Sequence, residues 1–376
     1  MIEVRPVKTK KEMNQFVKFP LKLYKDTQYY VPCFNGDEKA IKNPNKNHAA
    51  AGCETECFLA YKDGQIVGRV AGIIVHASNE VRNEKCIRFS RFDFVDDIEV
   101  ARVLLNTVEQ MGKQHGMTKI HGPWGFNDTD REGMLTMGFD RLSTFATNYN
   151  FEYYPKIMNQ LKLEKESEWV ELEFDFKNIN TKYLEIAKYA EKKNNLVDIA
   201  DKMSVKKIVK NYGDKFFECY NQTYKDLDNF IEINGDAKKN VLSLFATALN
   251  RKFISVIVDQ DTDKVVGFGV AMPSLGRVIK KHNGSMIRSA LGLLKTIARP
   301  KELELAIIGV APDYRKAGIS AVVISRIWQN IIKYNIKSVV SNPMLTTNGA
   351  VLNLWKFIPN QIIKRRQTYI RDIEHN

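Results

Sequence analysis

Cysteine is scarce and odd in number. Five thiols (Cys33, Cys53, Cys57, Cys86 and Cys219) in 376 residues make no disulfide framework, and the chain reads as one kept in the reducing cytoplasm. No apolar run reaches the roughly 18–20 residues that a spanning helix needs, so no transmembrane segment is expected. The opening residues, MIEVRPVKTKKEMNQF, contain no apolar stretch of the secretory type. His48, Cys53 and Cys57 are followed by no second ligand pair, which leaves no metal site to expect. His76, His115, His121 and His282 accompany no Ser or Cys elbow, so a catalytic triad is unsupported.

Acid is what the last quarter lacks. Residues 1–274 carry 40 basic and 39 acidic side chains, whereas residues 275–376 carry 17 and 5. Almost the whole net charge of +13 therefore sits at the end of the chain. A basic stripe alone does not make a nucleic-acid reader without recognisable recognition elements, and none is visible. Hydrophobic residues at 44% and charged ones at 27% suffice for ordinary cores and argue against disorder. The length favours two domains.

The fold class expected is α/β. Ile2–Val7 reads as a strand and Lys10–Lys25 as a helix. Cys57–Lys62 and Gln65–His76 flank Asp63-Gly64, the pair that suits a tight primed hairpin turn. Cys86–Phe94 is a strand. Ile98–His115 is a helix with Val100, Val103, Leu104, Val108 and Met111 on one face. The second half repeats this order: a hairpin across Asp259–Lys264, a strand at Leu303–Val310, a helix at Gly318–Tyr334, a strand at Ser338–Asn342, and a closing strand at Ile362–Ile373. Two halves with one grammar point to a duplicated unit, 1–178 and 179–376, divided near Lys177–Thr181.

Residues 275–302 have no counterpart in the first half. Positions 285–299 have a helical pattern, with Met286, Ile287, Ala290, Leu291, Leu294 and Ile297 on one face and Arg288, Lys295 and Arg299 together elsewhere. Three readings stand for this basic amphipathic helix: a cover over a ligand groove, a docking surface for anionic lipid or an acyl carrier protein, or a solvated helix. Lys364–Arg366 add further positive charge.

The informative stretch is LELAIIGVAPDYRKAGISAVV, residues 303–323. A buried-type strand enters a polar turn and then an apolar helix, which places free backbone N–H groups at a helix N-terminus where an anion is favoured. Gly318 permits close approach, and Arg315 and Lys316 add charge.

Val310-x-Pro312-x-Tyr314-Arg315-x-x-Gly318-Ile319-Ser320 resembles the acyl-CoA pyrophosphate loop of the GNAT acyltransferase superfamily. The likeness covers roughly residues 200–376. It implies two tandem GNAT-like mixed-sheet domains, the first degenerate and given to packing and to the acceptor pocket, the second binding acetyl-CoA or a longer acyl-CoA as donor. By the same likeness, Arg315, Lys316, Ala317, Gly318, Ile319 and Ser320 hold pyrophosphate. The backbone around Ile308 and Val310 pairs with the pantetheine arm, and Asn348 lies on the pantetheine side. The likeness further implies that the acceptor is an amine of a small molecule or peptide, which attacks the thioester directly.

The chain departs from the family in two places. The first half's strand–helix junction, FDFVDDIEVARVLL, carries Asp93, Asp96 and Asp97 with no glycine or cation, and carboxylates repel pyrophosphate. Aligned from Asn348, the family's usual acidic Tyr is here Trp355. Tyr369 on the closing strand and Glu304 before the loop are the candidate catalytic groups. Gly122–Phe126 and Tyr149–Pro155 are candidate walls of an acceptor pocket. If no group serves as acid, the alternative is a non-catalytic protein that binds acyl-CoA, lipid or another protein.

Overall fold

The computed structural model describes all residues except 128–129, 180, 226–229, 231 and 375–376. Two compact units emerge. The first comprises Met1–Val170, Gly276–Ala290 and Ile363–Asn376, and the second Glu171–Leu275 and Leu291–Ile362. A single division was expected near 177–181; the first boundary between these units falls at Val170 and Glu171, and position 180 lies outside the described residues. Local pattern did not show that 276–290 and the chain's last segment return to the first unit.

In the first unit, Ile2–Pro6, Cys53–Lys62, Gln65–Val75 and Cys86–Phe94 pair antiparallel in that order. Lys119–Gly122 then joins Cys86–Phe94 in parallel. Asp63 and Gly64 both have positive φ, as a primed hairpin turn requires. The helix Ile98–Gln114 lies on this sheet. A Cβ on Gly68 would stand 2.7 Å from Leu104 Cδ1, and one on Gly72 2.9 Å from Met111 Sδ. The two glycines let the helix seat directly on the strand.

The second unit follows the same plan. Leu196–Asp198, Ile254–Asp259, Lys264–Pro273 and Glu302–Val310 pair antiparallel, and Ser338–Ser341 joins Glu302–Val310 in parallel. Its helix Ile319–Lys333 packs over Gly267 and Gly269, where a Cβ would stand 2.4 Å from Ile319 Cγ2 and 2.4 Å from Val323 Cγ1. The repeat inferred from element order thus reappears as one packing device, glycines beneath a helix on the second hairpin strand.

The closing strands are exchanged. The closing strand expected at Ile362–Ile373, observed as Asn360–Asp372, was expected to finish the second copy. Instead, Tyr369, Ile370, Arg371 and Asp372 pair with Lys119–Gly122 in the first unit. The segment that ends the first half, Glu164–Phe174, supplies Glu173 to pair with Val340 in the second. Each unit is completed by a strand from the other half of the sequence.

Two of the late cations are also not surface charges. Lys364 and Arg366 are buried in the first unit. Lys364 Nζ donates to the Leu142 carbonyl (2.9 Å) and Arg366 Nη1 to that of Asn148 (2.6 Å). Buried cations need such acceptors.

Candidate active site

The strand Glu302–Val310 begins fully paired. Glu302–Leu305 lie beside Ser338–Ser341, and the last bond across this parallel pair runs from Asn342 N–H to the Leu305 carbonyl (2.9 Å). On the opposite side, Val270 faces Ile307 while Ala271 faces Leu305, so Ala306 is an extra residue, a β-bulge. Past the bulge, no pairing with Ser338–Ser341 continues among the described residues. The Ala311 N–H donates to the Val266 carbonyl (2.9 Å). Since strand groups alternate in direction, Ile308 and Val310 point their N–H and C=O away from Lys264–Pro273, along a splayed edge. One of these groups is used: the Tyr224 hydroxyl donates to the Ile308 carbonyl at 2.8 Å.

After Val310 the chain makes a short 3-10 turn at Pro312–Tyr314 and enters the helix Ile319–Lys333 through Gly318. Gly318 has φ +76°, and a Cβ there would stand 3.0 Å from Ala190 Cβ. Both the left-handed backbone and the close approach require glycine. No side chain caps this helix start, so the first-turn N–H groups of Ile319 and Ser320 keep no intrahelical acceptor. Arg315 and Lys316 are exposed beside them. The turn is held from both ends. Tyr314 donates to Asp259 Oδ2 (2.5 Å), a bond that raises the phenol's pKa and lowers the carboxyl's. Asn194 Nδ2 donates to the Ala317 carbonyl (3.3 Å).

A bulged strand that splays from its parallel neighbour and feeds an uncapped, cation-flanked helix start can pair with an extended amide-bearing chain and hold an anion at its end. No family model matches the chain. Among solved structures, it is similar over 100% of both chains, at TM-score 0.59 and 8% identity, to a tandem GNAT protein from the clavulanic acid biosynthesis pathway. It is also similar, at TM-score 0.54 and 11% identity, to the GCN5-related glucosamine N-acetyltransferase region of a fungal multi-domain β-N-acetylglucosaminidase, covering 99% of this chain and 38% of that one. The fold is that of a tandem GNAT protein.

Two curated relatives match part of the chain. Protein YghO of Escherichia coli is 28% identical over 165 residues, 43% of this chain and 41% of that protein. A bacterial ceramide synthase of Caulobacter vibrioides is 30% identical over 144 residues, 37% of this chain and 36% of that protein. The matched segment thus spans about two fifths of each relative's length.

Within the GNAT fold, the loop residues named from the sequence come together in the second unit: Ile308 and Val310 on the splayed edge, then Arg315 to Ser320. Glu304 is in the same unit but is buried, not solvated, and accepts from Ser274 Oγ (2.7 Å). Asn348 caps the helix Gly349–Leu354, its Oδ1 accepting from Val351 N–H (3.2 Å). Trp355 is buried, its ring 4.9 Å from Phe174. Tyr369 is not brought to this loop's unit. It is buried in the first unit's core, where burial raises its pKa. Strand exchange is the physical reason, because the segment that carries it pairs with Lys119–Gly122.

Sequence reasoning missed Tyr224, the last residue of the helix Val205–Tyr224. The available signal was an aromatic run of helical spacing, Phe216, Phe217, Tyr220 and Tyr224, which reads as ordinary core. Only the three-dimensional contact with Ile308 distinguishes its final member.

The first unit's counterpart of the anion loop is closed by its own acid. Asp97 Oδ1 accepts from Glu99 N–H (2.9 Å) at the start of Ile98–Gln114, and Oδ2 meets Lys62 Nζ (2.9 Å). Asp93 accepts from Arg69 (2.7 Å) and from the Tyr24 hydroxyl (2.8 Å). Arg69 and Arg91 also grip Glu38 (3.1 and 3.2 Å), and Arg91 reaches Asp130 (2.9 Å). Burial alone would raise the Glu38 pKa, but the arginines hold it at about 2. Pro123, Tyr149, Asn150 and Tyr154, from the two segments proposed as pocket walls, line a polar cavity beside this network. Trp124 and Phe126 are buried, and Arg88 lies over the Trp124 ring (5.1 Å). Among the described residues no group of three or more His, Cys, Asp or Glu stands together as a metal site.

Proposed function

We propose that the protein is an acyl-CoA-dependent N-acyltransferase whose donor site lies in the second unit. The observation that carries this reading is the helix start at Gly318, which no side chain caps among the described residues, at the end of a strand that past its bulge has no parallel partner strand among them at Ile308 and Val310. Pyrophosphate would accept from the N–H groups of Gly318, Ile319 and Ser320, with Arg315 and Lys316 supplying positive charge. The amide-bearing pantetheine arm would pair along Ile308–Val310 as a short added strand. First-unit binding of the same donor is disfavoured, since Asp97 already occupies the equivalent helix start.

Positioning supplies most of the catalysis in this reading. The amine nitrogen attacks the thioester carbonyl carbon, and backbone N–H groups by the bulge at Ala306 stabilise the oxyanion. The C–S bond then breaks and an amide forms; a base takes the amine's proton, an acid gives one to the CoA thiolate, and exchange with water restores both groups. The indole N–H of Trp355 is too weak an acid to protonate a thiolate, and Tyr369 is packed in the other unit's core. The Tyr224 phenol, already on the Ile308 carbonyl, is the group we assign to protonate the thiolate. Glu304 stays the candidate for collecting the amine's proton, with Ser274 orienting its carboxyl.

The ceramide synthase relative favours a lipid amine as acceptor and a long acyl chain on the donor. The experiment is a thiol-release assay crossing acetyl-CoA and longer acyl-CoAs with short and long-chain amines. Amine-dependent release, with an amide product by mass spectrometry, is the outcome expected. CoA binding with no release across the set would instead favour the non-catalytic acyl-CoA-binding reading.

A further inference from the structure

The helix Met286–Ala298 turns its apolar side outward. Ser289 and Leu293 are its buried positions, whereas Met286, Ile287, Leu291 and Leu294 are 50, 89, 83 and 64% exposed. At about 100° per residue these four fall within an arc of about 140°. Lys295, Arg288 and Arg299 follow on one flank, spread over only about 40°. The helix contains no carboxylate, and no ion pair of these three cations occurs among the described residues. Single exposed aliphatics need no explanation. Four in one stripe, bordered on one side by unpaired cations, do.

We propose that this helix docks the protein on an anionic phospholipid surface. Met286, Ile287, Leu291 and Leu294 enter the boundary between headgroups and acyl chains, while Arg288, Lys295 and Arg299 meet lipid phosphates. Its 13 residues, about 20 Å of helix, lie in the plane of the surface instead of crossing it. A second copy of the chain fits less well, because pairing two such helices brings no carboxylate of the helix to the cations. An acidic protein would answer the cations but leave a convex aliphatic ridge without a groove to receive it. A bilayer accepts both and needs no shaped pocket.

The test is co-sedimentation of the full chain with phosphatidylcholine vesicles, with and without phosphatidylglycerol, against Ile287→Glu/Leu291→Glu and Arg288→Glu/Lys295→Glu. The altered positions are exposed, so melting temperature and CoA affinity should match the parent, which separates failure here from failure of the acyl-transfer reading. Docking predicts binding only to vesicles that contain the anionic lipid, weakened by salt, and lost by at least about tenfold in either double variant. Equal sedimentation of parent and variants would overturn it, as would no partition into anionic vesicles. So would a dimer in sedimentation velocity that dissociates on Ile287→Glu/Leu291→Glu without any vesicle binding.

Discussion

The Tyr224 hydroxyl donates to the main-chain carbonyl of Ile308 at 2.8 Å, on the edge of Glu302–Val310 that faces away from Lys264–Pro273. Thr223, its neighbour, stands so close to Gly309 that a Cβ there would lie 2.9 Å from Thr223 Cγ2. The end of this helix therefore fixes a phenol at the point where the strand loses its parallel partner. A proton donor placed this way acts on the leaving group and contributes little to holding the donor. Tyr224→Phe should lower kcat about 100-fold, with the KM for acyl-CoA nearly unchanged. Steady-state kinetics split the two, and a matching rise in KM would make Tyr224 a binding residue only.

Gly267 and Gly68 make a paired test of where the donor binds. Alanine at Gly267 would press on Ile319, the first residue of the loop's helix, and alanine at Gly68 on Leu104 and Val100 of the other helix. Overpacking of either kind costs about 1–3 kcal/mol, so both variants should melt at lower temperature. Only Gly267→Ala should also weaken CoA binding, because it displaces the helix start that carries the free N–H groups. Calorimetry on the two variants checks this, and equal CoA affinity in both would detach the helix from the site.

The Glu38 network should contribute to acid stability. Its carboxyl, ordinarily near 4.5, is held at about 2 by Arg91 and Arg69 against the opposing effect of burial. A carboxyl lowered on folding adds stability that is fully present above pH 4.5 and is lost as the pH falls toward 2. Glu38→Gln should remove this part of the acid-induced decline. At neutral pH the same variant should be less stable by about 3–5 kcal/mol, since two buried guanidiniums lose a shared partner. Denaturant titrations at pH 7 and between pH 5 and 2 measure both effects, and an unaltered acid slope would refute the assignment.

Local features were legible in the sequence and distant ones were not. Asp63-Gly64 announced its hairpin because a primed turn makes a direct demand on φ. Gly318 announced its loop because strand, turn and helix each leave a short-range mark. The exchange of closing strands left no such mark, since the segment around Tyr369 has the same alternating pattern whichever sheet it joins. Lys364 and Arg366 looked like surface charge because their acceptors, the carbonyls of Leu142 and Asn148, lie more than two hundred residues away. For Met286–Ala298, the period defined an apolar face but could not say which side meets water.

Gly318 and its neighbours carry the proposed donor site. Isothermal titration of CoA into the full chain, and into Gly318→Asp/Arg315→Ala, tests it most directly. The aspartate sets a carboxylate where pyrophosphate would lie, much as Asp97 closes the helix start in the first unit, and a side chain at φ +76° adds strain. Saturable binding to the parent and none measurable for the variant are expected, with an otherwise folded far-UV spectrum. Unchanged affinity in the double variant would contradict it.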